Sequence, residues 1–421
     1  MKDSKLTASE LMELENMYGA HNYHPLPVVL DRGEGVFMWD VDGKKYFDFL
    51  SAYSAVNQGH CHPKIIDTLV GQAKKLTLTS RAFYNSQLGL YEEFVTRYFG
   101  YEKVLPMNTG AEAVETAVKL CRKWAYEKKR LPENSAQIVV CENNFHGRTT
   151  TIISFSVDPD AYNHYGPFTP GFIVIPYNDT DALEKVLVEN QTIAGFLVEP
   201  VQGEAGAYVP DDGYLKKCYD LCHQHNVLFI ADEVQTGIAR TGKLLACDYE
   251  DIHPDILILG KALSGGVYPV SAVLSSHEIM NVIHPGQHGS TFGGNPMAAA
   301  VAISALEVIR DEKLAENAFV LGSIFRNEMS KFCETSNIAS FVRGKGLLNA
   351  LVINNDGSKN MAWNICLKLL ENGLLAKPTH TNIIRFAPPL VMNEKQLLEC
   401  IGIIKKTIEG FELLKRESAI I

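Results

Sequence analysis

Between about residues 63 and 320, short apolar runs alternate with amphipathic stretches of helical period, and this alternation constrains the fold more than any other feature of the chain. The runs are IVVC at 138–141, FIVI at 172–175, GFLVE at 195–199, VLFIADE at 227–233 and ILILG at 256–260. Each has strand length and is apolar at consecutive positions, as a strand covered on both faces must be. Between them, residues 110–124 place Ala113, Val114, Ala117, Val118, Cys121 and Trp124 on one helical face. The expected class is therefore α/β, a mostly parallel sheet sandwiched by helices.

After about residue 320 the order changes to helix, VRGKGLLNALVI, helix, LLAKPT, NIIRFAPP and helix, which predicts a smaller α+β C-terminal domain. The first fifty or so residues, with WDVDGKKYFDF, predict a hairpin-bearing extension. We expect an N-terminal extension over 1–58, a large domain over 59–315 and a small domain over 316–421. A chain of 421 residues accommodates two or three units of roughly 150 residues each. No internal repeat or low-complexity linker marks the boundaries.

The balance of 39 Lys+Arg against 49 Asp+Glu gives a net charge of -10, which opposes binding to a phosphate backbone or an anionic membrane. Neither a nucleic-acid nor a membrane partner is expected. The nine cysteines are odd in number and never form a CxxC pair, which points to a reducing compartment. Cys218 and Cys222 lie four apart on an amphipathic stretch and are expected to pack there, so no metal site is assigned. The N-terminal MKDSKLTASELMELENMYG has neither a secretory apolar core nor an Arg-rich, acid-poor transit character. The longest apolar stretch, 297–309, is interrupted by Ser304 and Glu307 and is shorter than the roughly 18 residues of a membrane span. A cytoplasmic location is expected, unless a presequence has been removed.

In open α/β sheets ligands bind beyond the carboxyl ends of the strands, so polar residues that end apolar runs carry the chemistry. Asp232 ends VLFIA and Lys261 follows ILILG, which places an acid and an amine at neighbouring strand tips. Lys261 sits in GKALSGG, where small neighbours give access to the amine, and partial desolvation would ease its deprotonation. A carboxylate about 4 Å from a protonated pyridine nitrogen gains roughly 4 kcal/mol at an effective dielectric of 20, and so keeps such a ring an electron sink. Asn108, Thr109 and Gly110 form a turn before a helix, either a plain N-cap or a phosphate cradle. GIARTGKL at 237–244 lacks the Ser or Thr of a nucleotide loop, because Leu244 stands there. No GxGxxG follows a strand, which counts against a dinucleotide oxidoreductase. The Asn-x-Thr triplets at 178 and 190 carry no meaning in a cytosolic chain.

Taken together, YGAHNYHPLPVVL, SAYSAVNQGHCHPK, MNTGAEAVETA, NFHGRT, VEPVQGEAG, FIADEVQTGIARTG, GKALSGGVYPVSAV, HGSTFGGNP, VRGKGL and AKPTHTNIIRFAPP resemble the fold type I, class III aminotransferases. The likeness spans nearly the whole chain and is greatest to members acting on the δ-amine of ornithine. It implies pyridoxal 5'-phosphate as cofactor, with Lys261 as its Schiff-base lysine, Asp232 on the pyridine nitrogen and Gln235 at the ring oxygen. It further implies that Phe145 stacks on the ring beside His146, where animal members carry Trp. The backbone of Gly110 and Ala111 would hold the phosphate, helped by Thr291 of a second subunit, so a homodimer is implied.

For substrate, the resemblance implies Tyr23, Tyr53, Arg148, Glu204 and Arg385. Arg148 would grip the α-carboxylate of ornithine and Arg385 that of 2-oxoglutarate, with Glu204 as a gate on Arg385 and Tyr23 at ornithine's α-amine. Two rival expectations remain: another ω-aminotransferase, acting on acetylornithine or 4-aminobutyrate, and a catalytically silent cofactor-binding regulator or ornithine sensor.

Overall fold

The structure is a computed structural model that describes residues 6–354 and 360–418; the first five residues of the N-terminal stretch considered above lie outside it. Its centre is a sheet of β4 (Lys103–Met107), β5 (Gln137–Cys141), β6 (Phe172–Ile175), β7 (Ile193–Val198), β8 (Leu228–Asp232), β9 (Ile256–Leu259) and β10 (Ser271–Ser275). These follow β1 (Leu30–Glu34), β2 (Phe37–Asp40) and β3 (Lys45–Asp48) of the N-terminal segment. The order is β4-β10-β9-β8-β7-β5-β6. From β9 through β6 the strands run parallel, and β10 is antiparallel to both β4 and β9. The expected mostly parallel sheet is present, with one antiparallel strand, β10, next to the edge strand β4.

The continuous apolar runs are explained by the two faces. Ile138 and Val140 pack with the helix Gly110–Glu127, whereas their neighbours Val139 and Cys141 pack with Leu215, Cys218 and Cys222 of the helix Tyr214–Gln224. Alternate side chains point to opposite faces, so both sets must be apolar when helices cover both. Cys218 and Cys222 are fully buried at that packing surface.

The C-terminal region forms an antiparallel sheet, β11 (Ala339–Lys345), β12 (Leu348–Ile353), β15 (Ile383–Phe386) and β14 (Lys377–Thr379), in the order β11-β12-β15-β14. The helices Leu314–Cys333, Met361–Glu371 and Glu394–Ser418 pack with it. β4 and β10 are absent from the reading of the sequence, and with them the antiparallel pairings at that side of the central sheet. Another pairing is absent from it too: β13 (Leu374–Leu375) runs parallel to β3, with Leu374 opposite Phe47. The two ends of the chain therefore share a sheet, and Phe47, Phe49 and Phe386 lie in one core with Leu374. Arg240 fastens the same junction. It is completely buried, and its guanidinium donates to Asn57 Oδ1, to Leu347 O at 3.0 Å and to Pro388 O at 2.7 Å.

Candidate active site

Asp232 is the last residue of β8, and Lys261 stands two residues beyond the end of the adjacent parallel strand β9. Both therefore open at the carboxyl edge of the sheet, where α/β folds bind ligands. The backbone at Lys261 is left-handed, with φ 39°. Such a conformation costs a non-glycine residue on the order of 1–2 kcal/mol and persists where the surroundings impose it.

Asp232 and Lys261 line one cavity of about 190 Å3 together with Gly110, Ala111, Phe145 and His146. Gln235 and Glu199 complete its polar wall, and Val234 adds an apolar surface. Burial drives the Lys261 amine below its ordinary lysine range, despite the opposing charges of Glu204 and Asp232. This favours the neutral, nucleophilic form.

Asp232 Oδ1 accepts from the Val234 N–H at 3.0 Å, and Oδ2 lies 2.6 Å from His146 Nδ1. A carboxylate has room for a further donor on each oxygen, so a ring N–H can still be accepted. Burial disfavours the His146 imidazolium, but the bond to Asp232 and its charge outweigh burial and raise the His146 pKa. The other ring nitrogen, Nε2, is buried without a partner.

The helix Gly110–Glu127 begins with a capping box. Thr109 Oγ1 accepts from the Glu112 N–H at 3.2 Å, and Glu112 Oε2 accepts from the N–H groups of Asn108 and Thr109. The cap leaves the N–H groups of Gly110 and Ala111, in the first turn, for an outside acceptor. Glycine is needed at 110 for space, since a Cβ there would meet Val234 Cγ1 at 2.9 Å.

Next to this cavity, Glu204 Oε1 accepts from Arg385 Nη1 at 2.7 Å and from Gln235 Nε2 at 3.0 Å. The Arg385 side chain is 3% exposed and that of Glu204 26%. Burial pushes the Glu204 carboxyl up, but the Arg385 and Lys261 charges prevail and hold it down at about 2. The Arg385 guanidinium lies 5.4 Å from the Tyr53 ring centroid. Tyr53 is carried on a left-handed turn, Ser51–Ser54, whose first N–H bonds to Asp48.

Three expected site residues stand apart from the cavity. Arg148 is exposed, 3.8 Å from Asp158 and 5.9 Å from the Phe145 ring centroid. Tyr23 is exposed on the N-terminal segment, beside a separate cavity formed by residues 11–30, with Lys377 5.8 Å from its ring. Thr291 is exposed on the loop after Ser290, whose hydroxyl accepts from Asn108.

Glu199, which lines the cavity, was not singled out in the sequence, although it ends GFLVE just as Asp232 ends its own run. Its Oε2 accepts from the Phe145 N–H at 2.9 Å, and burial pushes it up to about 7. Among the described residues there is no cluster of three or more His, Cys, Asp or Glu able to hold a metal ion.

Residues 18–408 match the family model described as Aminotransferase class-III. The chain belongs to the class III aminotransferases. These use pyridoxal phosphate, and the donor set fits that group: an accessible amine, a carboxylate for a ring nitrogen, an aromatic face and free N–H groups at a helix start. Among class III aminotransferases, the chain is 64% identical over 394 residues to a protein named ornithine aminotransferase, mitochondrial, of Drosophila melanogaster, covering 94% of this chain and 90% of that one. A solved structure of the Toxoplasma gondii ornithine aminotransferase, described as having partial occupancy of pyridoxal phosphate at its active site, superposes with a TM-score of 0.96. It has 47% identity and covers 97% of this chain and 96% of that one. A structure described as acetylornithine aminotransferase from Elizabethkingia anophelis shares 64% identity with a TM-score of 0.89, covering 96% of this chain and all of that one. Among the described residues, no helix of this class III aminotransferase is long and apolar enough to cross a membrane.

Proposed function

We propose that the chain transfers the δ-amino group of L-ornithine to 2-oxoglutarate, giving glutamate-5-semialdehyde, which cyclises to pyrroline-5-carboxylate, and glutamate. The observation that carries this reading is the Glu204–Arg385 pair beside the Lys261 cavity. An aminotransferase with two unlike substrates must present an arginine to the diacid and hide it from the diamine. A charged carboxylate lying on Arg385 hides it, and leaves the ornithine carboxylate to another cation.

Pyridoxal phosphate, when bound, supplies an electron sink for the carbon that bears the reacting amine. Lys261 would hold it covalently through its side-chain amine. The Lys261 amine would also serve as the general base that takes a proton from the δ-carbon of ornithine, a role that its lowered pKa supports. Asp232 would pair with the ring nitrogen, Gln235 with the ring oxygen, and Phe145 and His146 would form the ring's surroundings. Gly110 and Ala111 would hold the phosphate with Thr291 of a second subunit, in a homodimer with shared sites. Arg148 would bind the ornithine α-carboxylate, with Tyr23 and Tyr53 orienting the rest of the molecule. Glu204 would turn away when 2-oxoglutarate reaches Arg385.

The 64% identity to a structure described as acetylornithine aminotransferase supports a second reading on the same scaffold. Steady-state turnover of ornithine, acetylornithine and 4-aminobutyrate with 2-oxoglutarate separates the two. A tenfold preference for acetylornithine, about 1.4 kcal/mol in transition-state binding, would reject the ornithine assignment. Loss of the bound cofactor's absorption band on adding ornithine alone distinguishes an enzyme from a sensor.

We further propose the division into residues 1–58, 59–315 and 316–421 as units, and a cytoplasmic location; the free cysteines support a reducing compartment without deciding which. The Drosophila relative carries "mitochondrial" in its name, so cell fractionation is the deciding measurement.

A further inference from the structure

The loop that carries Glu204 is held in an unusual way. Four successive carbonyls, from Gly203 to Gly206, each accept a hydrogen bond from a side chain of the C-terminal region. Arg385 Nη1 donates to Gly203 O at 3.1 Å. Glu204 O accepts from Thr379 Oγ1 at 2.8 Å and from His380 Nε2 at 3.1 Å. Arg343 spans the next two, with Nη2 on Ala205 O at 3.1 Å and Nε on Gly206 O at 2.8 Å. The Arg343 guanidinium also lies 5.0 Å from the Tyr208 ring centroid, just past the loop. Gly206 has φ +91°, and a Cβ there would meet two Ile383 carbons at 2.9 Å, so the loop lies directly against β15.

A loop of this length would ordinarily shift as a whole when one of its side chains changes partner. Here the backbone is pinned on both sides of Glu204, and only the side chain is free to turn. We propose that Arg343, with Thr379 and His380, positions the Glu204 backbone so that the Glu204–Arg385 contact opens and closes by side-chain rotation alone. This deepens the reading of Glu204 as a gate, and rests on it. Arg343 touches neither the Lys261 cavity nor the Glu204 carboxylate, so it acts through the loop. Its two donors on two adjacent carbonyls require the planar fork of a guanidinium, which a lysine lacks.

The consequence is a selectivity effect. A loosened loop lets Glu204 drift from Arg385 and exposes the arginine to amino acids that should not compete in the first half-reaction, glutamate above all. The test uses the cofactor-loaded enzyme in single-turnover half-reactions with ornithine and with glutamate, followed by absorbance. For Arg343→Met, the ratio of kcat/KM for ornithine to that for glutamate is expected to fall at least tenfold. Glu204→Ala should lower the same ratio, and Arg343→Met should add less than twofold in the Glu204→Ala background. Arg343→Lys is expected to resemble Arg343→Met. Thr379→Val, which removes one clamp only, should shift the ratio about threefold and keeps a measurable variant in hand if Arg343→Met does not fold.

A ratio unchanged within twofold in both Arg343→Met and Thr379→Val overturns the proposal. So does an equal fall for both amines, which is what a general loss of structure produces, or a full Arg343→Met effect that persists without Glu204. A wild-type enzyme that does not convert ornithine would instead overturn the underlying functional reading, and a wild type that does so with no effect of Glu204→Ala would remove the gate itself.

Discussion

His146 Nδ1 lies 2.6 Å from Asp232 Oδ2, and both side chains are buried at the end of β8. The histidine thus stands behind the carboxylate assigned to the cofactor's ring nitrogen, and fixes its orientation. His146→Leu leaves a buried side chain of similar size and removes the bond. A hydrogen bond to a charged group contributes about 1.5–3 kcal/mol, so cofactor affinity should weaken roughly tenfold to a hundredfold. Equilibrium dialysis of the cofactor checks this, and an unaltered affinity would show that Asp232 needs no such support.

Lys261→Ala removes the proposed covalent anchor and base together. Ornithine-dependent turnover should fall by about 10²–10⁴-fold or more, on the scale of a lost general base. Borohydride treatment followed by peptide mapping should label Lys261 in the wild type and no residue in the variant.

Arg385→Lys keeps the positive charge beside Glu204 but loses the fork that suits a carboxylate. The 2-oxoglutarate half-reaction should slow by about tenfold to a hundredfold, with a smaller change for ornithine. Equal slowing of both would count against the assignment of Arg385 to the diacid.

Glu199 is pushed by burial from an ordinary 4.5 to about 7, and burial raises Glu233 to about 7 as well. The folded protein therefore holds protons between pH 4.5 and 7 that the unfolded chain has released. Stability must fall as pH rises through that window. His146, also raised, adds to the same trend, since its contribution is present below its unfolded pKa and is lost as pH rises through the folded value. Glu199→Gln should flatten the decline by up to roughly 3 kcal/mol, from about 1.36 kcal/mol per pKa unit. Thermal melts of both proteins at pH 5 and pH 8 measure it, and parallel declines would mean that Glu199 is not the titrating group.

Arg240→Met strands the carbonyls of Leu347 and Pro388 and the Asn57 side chain in a buried place. Each unsatisfied buried group costs about 1–3 kcal/mol, so a loss of several kcal/mol is expected, visible as a lowered denaturation midpoint. Burial lowers the Arg240 pKa to about 9, which marks a cation kept for its hydrogen bonds without a carboxylate bonded to it.

Five of the seven central strands, β5 to β9, the packing face of the helix Gly110–Glu127 and the tip positions of Asp232 and Lys261 were legible in the chain because they depend on local period and on abrupt changes from apolar to polar, whereas β4 and β10 were not read. Glu199 obeyed the same rule and could have been found by it. What no local pattern determines is the company a residue keeps. Glu199 and Glu204 lie five positions apart on one segment, yet one is held near neutrality by burial and the other is held charged by Arg385, 181 residues away along the chain. The pairing of β13 with β3, the Arg343 fork on the Glu204 loop and the His146–Asp232 bond have the same origin. Residue type and spacing fix which groups are offered at the sheet edge, whereas desolvation and long-range partners, which only the folded chain supplies, decide their charge and orientation.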